Sequence, residues 1–160
     1  MNSKYKIDEI DKQILKYLVD NTRMPFTEIA KKMLVSAGTI HVRVKKMEEA
    51  GLIKGTSLDI DYNTLGYSFV AYVGVLLGKS SKTQNVIEKL REIPNVVEAS
   101  VISGKHNIFC KLLAQNTNDA KDILYRIDEI PEVLRTESII SLEEAIHDRN
   151  RLLHSIFKKN

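Results

Sequence analysis

The chain is short of the residues that staple, span or catalyse. Its one cysteine, Cys110, has no partner for an internal disulfide, which excludes a disulfide scaffold and points to a reducing compartment. Tryptophan is absent, and only 3 prolines and 7 glycines interrupt 160 residues. No apolar run approaches the roughly 20 residues that cross a bilayer. The opening Met1-Asn2-Ser3-Lys4-Tyr5-Lys6 lacks the apolar centre of a signal peptide. A cytoplasmic protein without a membrane partner is expected. No Gly-rich phosphate loop is present, and His41, His106, His147 and His154 show no metal-ligand spacing with Cys or Asp. Cys110 lies in the apolar run Ile108-Phe109-Cys110-Lys111-Leu112, the setting of a packed thiol and not of a nucleophile. No enzyme, cofactor or metal centre is expected.

What is present describes a globular chain, with 43% hydrophobic and 28% charged residues. Its net charge of +3 is uneven. Residues 1–55 hold 11 Lys/Arg against 7 Asp/Glu, and the remainder holds 13 against 14. Only the first third is basic enough to suggest a polyanionic partner.

Three helical patterns occupy that third. Asp8 is placed to cap the first, with Ile10, Ile14, Tyr17 and Leu18 on one face. Pro25 suits the first turn of the second, which buries Phe26, Ile29, Ala30 and Met33. Ser36 caps the third, and Gly51 ends it. A short helix, a tight turn and a longer basic helix over Phe26–Gly51 match a helix-turn-helix. Leu52–Ile60 alternates like a short ribbon, a wing, and 61–66 reads as a linker.

The remainder contains a repeat. Ile93-Pro94-Asn95-Val96 recurs 37 residues later as Ile130-Pro131-Glu132-Val133, each a helix stop followed by a strand. With strands at Tyr67–Leu77 and Asn107–Ala114 and a turn at Gly104, the order becomes βαββαβ, a ferredoxin-like domain. The expected class is α+β: a winged helix-turn-helix over 1–60, the ferredoxin-like domain over 67–142, and a helical extension over 143–160. In the first strand Phe69, Ala71, Val73, Val75 and Leu77 form one face, and Val70, Tyr72 and Leu76 make the other apolar as well. Two helices cover one face of a sheet, so the second needs another cover: a second copy of the chain, or the N-terminal domain folded back. Leu142, Ile146, Leu153 and Phe157 suggest an amphipathic terminal helix.

On the third helix Ala37, Ile40, Val44 and Met47 form a packing side. Opposite lie Gly38, Thr39, Val42 and Lys46, flanked by His41 and Lys45 on one edge and Arg43 on the other. Small residues permit close approach to a groove, Thr39 and Val42 suit base edges and thymine methyls, and Arg43, Lys45, Lys46 and Ser36 suit phosphates. Arg43 also suits guanine. Periodicity alone does not separate such a reader from a solvated helix face or a protein-binding helix.

The segment Gly38-Thr39-Ile40-His41-Val42-Arg43-Val44-Lys45-Lys46-Met47-Glu48-Glu49-Ala50-Gly51-Leu52-Ile53-Lys54-Gly55 resembles the recognition helix of the Lrp/AsnC, or feast/famine, family of transcription regulators. Ile10-Asp11-Lys12-Gln13-Ile14-Leu15, Glu28-Ile29-Ala30-Lys31-Lys32, Leu65-Gly66-Tyr67 and the Ile-Pro-x-Val repeats are similar to further family segments in order, from residue 7 to about 142. The resemblance implies a sequence-specific binder of double-stranded DNA. It also implies homodimers paired through their ferredoxin-like (RAM/ACT-like) sheets, assembly to octamers, and a free amino acid as effector. Gly38–Val44 is most similar to the asparagine-responsive members, which implies asparagine. The effector loop maps onto Gly104, Lys105, His106 and Asn107, faced by Thr136, Glu137 and Ser138. Backbone N–H groups at the Gly104 turn would serve a carboxylate, and Glu137 or the Asn107 oxygen an ammonium. Two departures stand out: Asn107 replaces a common acid, and Leu34 occupies a turn position where the family carries glycine, which suggests an altered turn. An RNA-binding ferredoxin-like module would need several strand aromatics, and the third strand offers only Phe109.

Overall fold

The computed structural model describes residues 5–148 and 150–158. They fall into two units, one running to Asp59 and resumed from Ile146, the other spanning Ile60–Ala145.

The first unit opens with α1 (Glu9–Asp20). The Asp8 carboxylate accepts the Asp11 N–H, and the Asp11 side chain accepts the Asp8 N–H, a reciprocal cap that satisfies two orphan donors. Then follow α2 (Phe26–Met33) and α3 (Ala37–Glu49). Pro25 is the cap of α2, and its carbonyl accepts the N–H groups of Glu28 and Ile29. The apolar faces meet in a core of Ile14, Ile29, Ala30, Ile40, Val44 and Met47. Gly51, at φ +72°, ends α3, and the Met47 carbonyl accepts from Leu52 and Ile53.

Between α2 and α3 the turn keeps the left-handed residue that glycine ordinarily supplies. Leu34 takes φ 54° and ψ 40° and is the only non-glycine residue with positive φ among those described. The sequence expectation of an altered turn is thus corrected: tertiary packing of the two helices imposes the conformation on a leucine. Its side chain is 93% exposed and offsets none of the strain, about 1–2 kcal/mol for an L-residue. Leu34→Gly relieves that strain while adding about 0.5–1 kcal/mol of chain entropy. The variant is expected to be more stable by about 0.5–1 kcal/mol, a rise of roughly 3–5 °C in Tm by thermal melting. A lower Tm would show that the leucine holds the turn.

Two further expectations are corrected. The ribbon at 52–60 does not form, since these residues join no ladder. A ribbon needs a second strand, and the chain after it folds into a turn in which Asp61 accepts from Asn63 N and Thr64 Oγ1 and Gly66 takes φ +88°. The terminal helix is shorter than the apolar pattern suggested: α6 spans Arg151–Lys158. Leu142 and Ile146 lie outside it, 98% and 69% exposed, and the side chain of Phe157 lies outside the described residues. Residues 141–144 follow the sheet instead, tied by Ser141 N–H to the Val70 carbonyl and by the Lys111–Glu144 ion pair. α6 lies against α1, with His154 Nδ1 3.6 Å from Asp20.

The second unit is β1 (Phe69–Leu77), α4 (Thr83–Arg91), β2 (Val96–Val101), β3 (Ile108–Ala114), α5 (Thr117–Asp128) and β4 (Val133–Ile140). All neighbours are antiparallel in the order β2-β3-β1-β4, the ferredoxin-like arrangement. The 37-residue repeat becomes one turn built twice: Val96 N–H bonds the Ile93 carbonyl at 2.9 Å, and Val133 N–H bonds that of Ile130 at 2.8 Å. Both isoleucines are buried. One sheet face packs Ala71, Val73, Val75, Ile108, Cys110 and Leu112 against Val86, Leu90, Ile123 and Ile127 of the helices. On the other, Tyr72 stacks on Phe109 with centroids 5.9 Å apart, next to Ile139, which is 59% exposed. No described helix is long and apolar enough to cross a membrane.

Candidate nucleic-acid interface and effector loop

α3 is held by its start and its inner side. Ser36 Oγ accepts the Thr39 N–H at 3.1 Å and shares a 2.9 Å hydrogen bond with Thr39 Oγ1, so the hydroxyl proposed for phosphate also caps the helix. Ile40, Val44 and Met47 are buried. Gly38, Val42 and Lys46 are exposed and Thr39 half-buried, the outward face anticipated from the helical period. They line one wall of a hollow closed by Tyr5, Lys6, Asp8 and Asp11.

The flanking residues divide differently from the sequence reading. His41 leans back onto α2, edge-on to Phe26 at 6.1 Å. Lys45 lies 3.9 Å from Glu49, an exposed pair of small energetic weight. Arg43, read from sequence as a phosphate or guanine contact, turns to α1: its Nη1 donates to Asp8 Oδ2 at 2.6 Å and to Asp11 Oδ1 at 3.0 Å. The Asp11 N–H, and after it Arg43, hold the Asp8 carboxyl below the usual carboxylate range. Nothing local in the sequence signals this contact, because its partners lie 35 and 32 residues apart. Lys6 was also missed. It precedes α1 and carries no helical pattern, yet it reaches the hollow beside Lys46.

In the second unit the loop before β3 turns at Gly104, φ +114°, and brings His106 over β1. The ring covers Gly74, where a Cβ would lie 2.6 Å from His106 Nδ1. His106 is thus seated, with 17% of its side chain exposed. Its Nε2 lies 3.2 Å from Glu137 Oε2. Lys105 Nζ donates to both Glu137 oxygens at 2.7 Å, and Arg135 Nη2 is 3.1 Å from one of them. Lys105 above all, with Arg135, lowers the Glu137 pKa, so this carboxylate stays ionised well into acid. Asn107 is occupied otherwise: its Oδ1 accepts the Leu77 N–H at 2.9 Å and its Nδ2 donates to Ser80 Oγ at 3.1 Å. It closes the end of β1 rather than offering its oxygen to a ligand. Thr136 Oγ1 donates to Asp128 at 2.8 Å, and Ser138 pairs in register with Val73. The structure therefore gathers Lys105, His106 and Glu137 tightly and directs Asn107 and Thr136 elsewhere.

Comparison with known proteins agrees with both halves. Residues 7–54 match a family model for winged helix-turn-helix DNA-binding, and residues 70–151 match one for the Lrp/AsnC ligand binding domain. The chain belongs to the Lrp/AsnC family. Regulatory protein AsnC of Haemophilus influenzae is 38% identical over 143 residues, covering 89% of this chain and 95% of that protein. The solved structure of Escherichia coli AsnC superposes with a TM-score of 0.85 at 35% identity, covering 89% of this chain and 97% of that one. A feast or famine regulatory protein from M. tuberculosis complexed with L-methionine shares the fold, with a TM-score of 0.83 at 24% identity over 90% and 97% of the two chains.

As a Lrp/AsnC protein the chain is a DNA-binding transcription regulator with a ligand-binding domain. The one thiol fits that role: Cys110 is 1% exposed, and burial pushes its pKa up to about 11, far from a reactive thiolate at neutral pH. Among the described residues no group of His, Cys, Asp and Glu is placed to hold a metal ion.

Proposed function

We propose that this regulator acts in the cytoplasm as a binding protein without a catalytic step, reading duplex DNA with the outward face of α3. Gly38 permits close approach, Thr39 and Val42 meet base edges, and Lys6, Lys45 and Lys46 meet phosphates. The observation that carries this reading is the outward face itself. Val42 is an aliphatic side chain left 53% exposed between an exposed glycine and an exposed lysine, useless to a solvated helix and suited to a thymine methyl.

A labelled duplex selected from a random library should bind more tightly than random duplex, with affinity falling steeply as salt rises. Thr39→Ala or Val42→Ala should change which sequences are preferred. Lys46→Ala should weaken all sequences alike and reduce the salt slope by about one. The same loss of affinity for all sequences in all three variants would overturn the division into reading and positioning roles.

The uncovered sheet face with Tyr72, Phe109 and Ile139 supports a homodimer paired sheet to sheet, from which larger assemblies such as octamers would grow. The effector is a free amino acid held near Gly104, Lys105 and His106. Glu137 is the acceptor for its ammonium in place of Asn107, and Lys105 or the Gly104 turn receives its carboxylate. The mycobacterial neighbour's complex with L-methionine supports the ligand class, and resemblance to asparagine-responsive members supports asparagine. Calorimetric titration with all twenty amino acids decides which, and twenty flat titrations would refute an amino-acid effector.

A further inference from the structure

We propose that Arg43 is a positioning residue: clamped between Asp8 and Asp11, it sets the rotation of α3 on α1 and takes no part in phosphate contact. The inference rests on the reading of α3 as the DNA-contacting helix.

Every carboxylate oxygen of the clamp is engaged. Asp8 Oδ1 accepts the Asp11 N–H at 2.9 Å, and Asp8 Oδ2 accepts Arg43 at 2.6 Å. Asp11 Oδ1 accepts Arg43 at 3.0 Å, and Asp11 Oδ2 accepts Tyr5 Oη at 3.0 Å and the Asp8 N–H at 3.2 Å. Asp11 is 1% exposed, and Arg43 is the only cation paired with it among the described residues. Drawing Arg43 out to a phosphate would leave a buried carboxylate without its counter-ion, a larger penalty than one exposed phosphate contact returns. Within the clamp one guanidinium faces two carboxylates, so its charge is already matched before any phosphate approaches. Hydrogen bonds to Asp8 and then Asp11 hold the guanidinium more firmly protonated than usual.

The anchor lies inside the reading surface. Arg43 is four residues beyond Thr39, three before Lys46 and next to Val42, so the fixed point and the reading atoms share two turns of helix. Turning α3 about its axis would swing Thr39 and Val42 across the groove, and the clamp opposes that motion. The guanidinium bridges the two carboxylates through one nitrogen, Nη1. A lysine keeps the charge but carries it on a flexible stem, without the planar group that fixes the direction of these bonds.

The test uses the full chain and the duplex selected from a random library, with salt titrations at a temperature where circular dichroism shows each variant folded. Lys46→Ala supplies the phosphate reference, a fall in salt slope of about one. Arg43→Lys and Arg43→Met are expected to keep the wild-type slope and the affinity for random duplex. They should lose about 10-fold or more in preference for the selected duplex, the size of one mismatched base pair. Arg43→Lys keeps a charge beside Asp11, so the question stays decidable if Arg43→Met fails to fold. A drop in slope matching Lys46→Ala would make Arg43 a phosphate contact, and full preference in either folded variant would reduce the clamp to a stability device. Either result overturns the proposal. Absence of any preference in the wild type would instead refute the reading of α3.

Discussion

Ile40→Ala is expected to unfold most of the helix-turn-helix at physiological temperature and to abolish binding of the selected duplex. Ile40 has no exposed surface and meets Ile14, Ile29, Val44 and Met47 in the small core of the first unit. Truncating a buried isoleucine to alanine removes the transfer free energy of three carbons and leaves a cavity, together about 2–5 kcal/mol. A unit of roughly 60 residues holds about 3–9 kcal/mol in total, so the loss consumes most of its stability. Denaturant unfolding followed by circular dichroism should show two transitions, with only the helical unit's shifted, because the sheet unit has its own core. Val42→Ala, two residues away on the exposed side, should leave the same transition within about 0.5 kcal/mol of wild type. Equal destabilisation by both changes would mean that the assigned faces of α3 are wrong.

Gly74→Ala is expected to destabilise the sheet unit by about 1–3 kcal/mol through overpacking, although alanine is ordinarily tolerated as well as glycine in a strand. The added Cβ would meet His106 at 2.6–2.7 Å, at Nδ1, Cε1 and Cγ. Contact at Cγ, next to the root of the ring, means that turning the ring in place gives no relief. His106 must leave its seat, and its 3.2 Å contact with Glu137 goes with it. The loop carrying Lys105 is then unmoored from β4. Removing the ring first should abolish the penalty, so the Gly74→Ala/His106→Ala double variant is expected to be more stable than Gly74→Ala alone. A double-mutant cycle from urea melts should return a coupling of about 1 kcal/mol or more. Additive effects would mean that the backbone absorbs the methyl by moving β1 and that the histidine is not seated by the glycine.

Much of this architecture can be read from one strand of letters. Ser36 and Gly51 bracket α3 because a hydroxyl N-cap and a positive-φ stop are local requirements. The Ile93-Pro94 and Ile130-Pro131 turns repeat because the same helix must end over the same sheet twice. Both faces of β1 were visible as a period-two pattern with no polar side. The failures share a different cause. The Arg43 clamp, the His106 seat over Gly74 and the engagement of Asn107 by Leu77 N–H are single contacts between residues about 30 apart, and no periodicity announces them. Leu34 breaks a local rule because packing of α2 on α3 overrides its preference. Leu142 carries the helix spacing, but residues 141–144 follow the sheet, since the Lys111–Glu144 pair and the Ser141 bond hold them there.

The position of Cys110 carries one further consequence. The chain's single thiol is 1% exposed and belongs to the core of the sheet unit, not to the helical one. A thiol reagent can reach it only when that unit opens, so its modification rate is a natural clock for one domain, blind to the fraying of the other. A small molecule that binds the closed sheet unit must slow the clock in proportion to its occupancy, whether or not it alters DNA affinity. The protein thus carries its own ligand reporter, one that needs no operator, no partner and no added label in the fold.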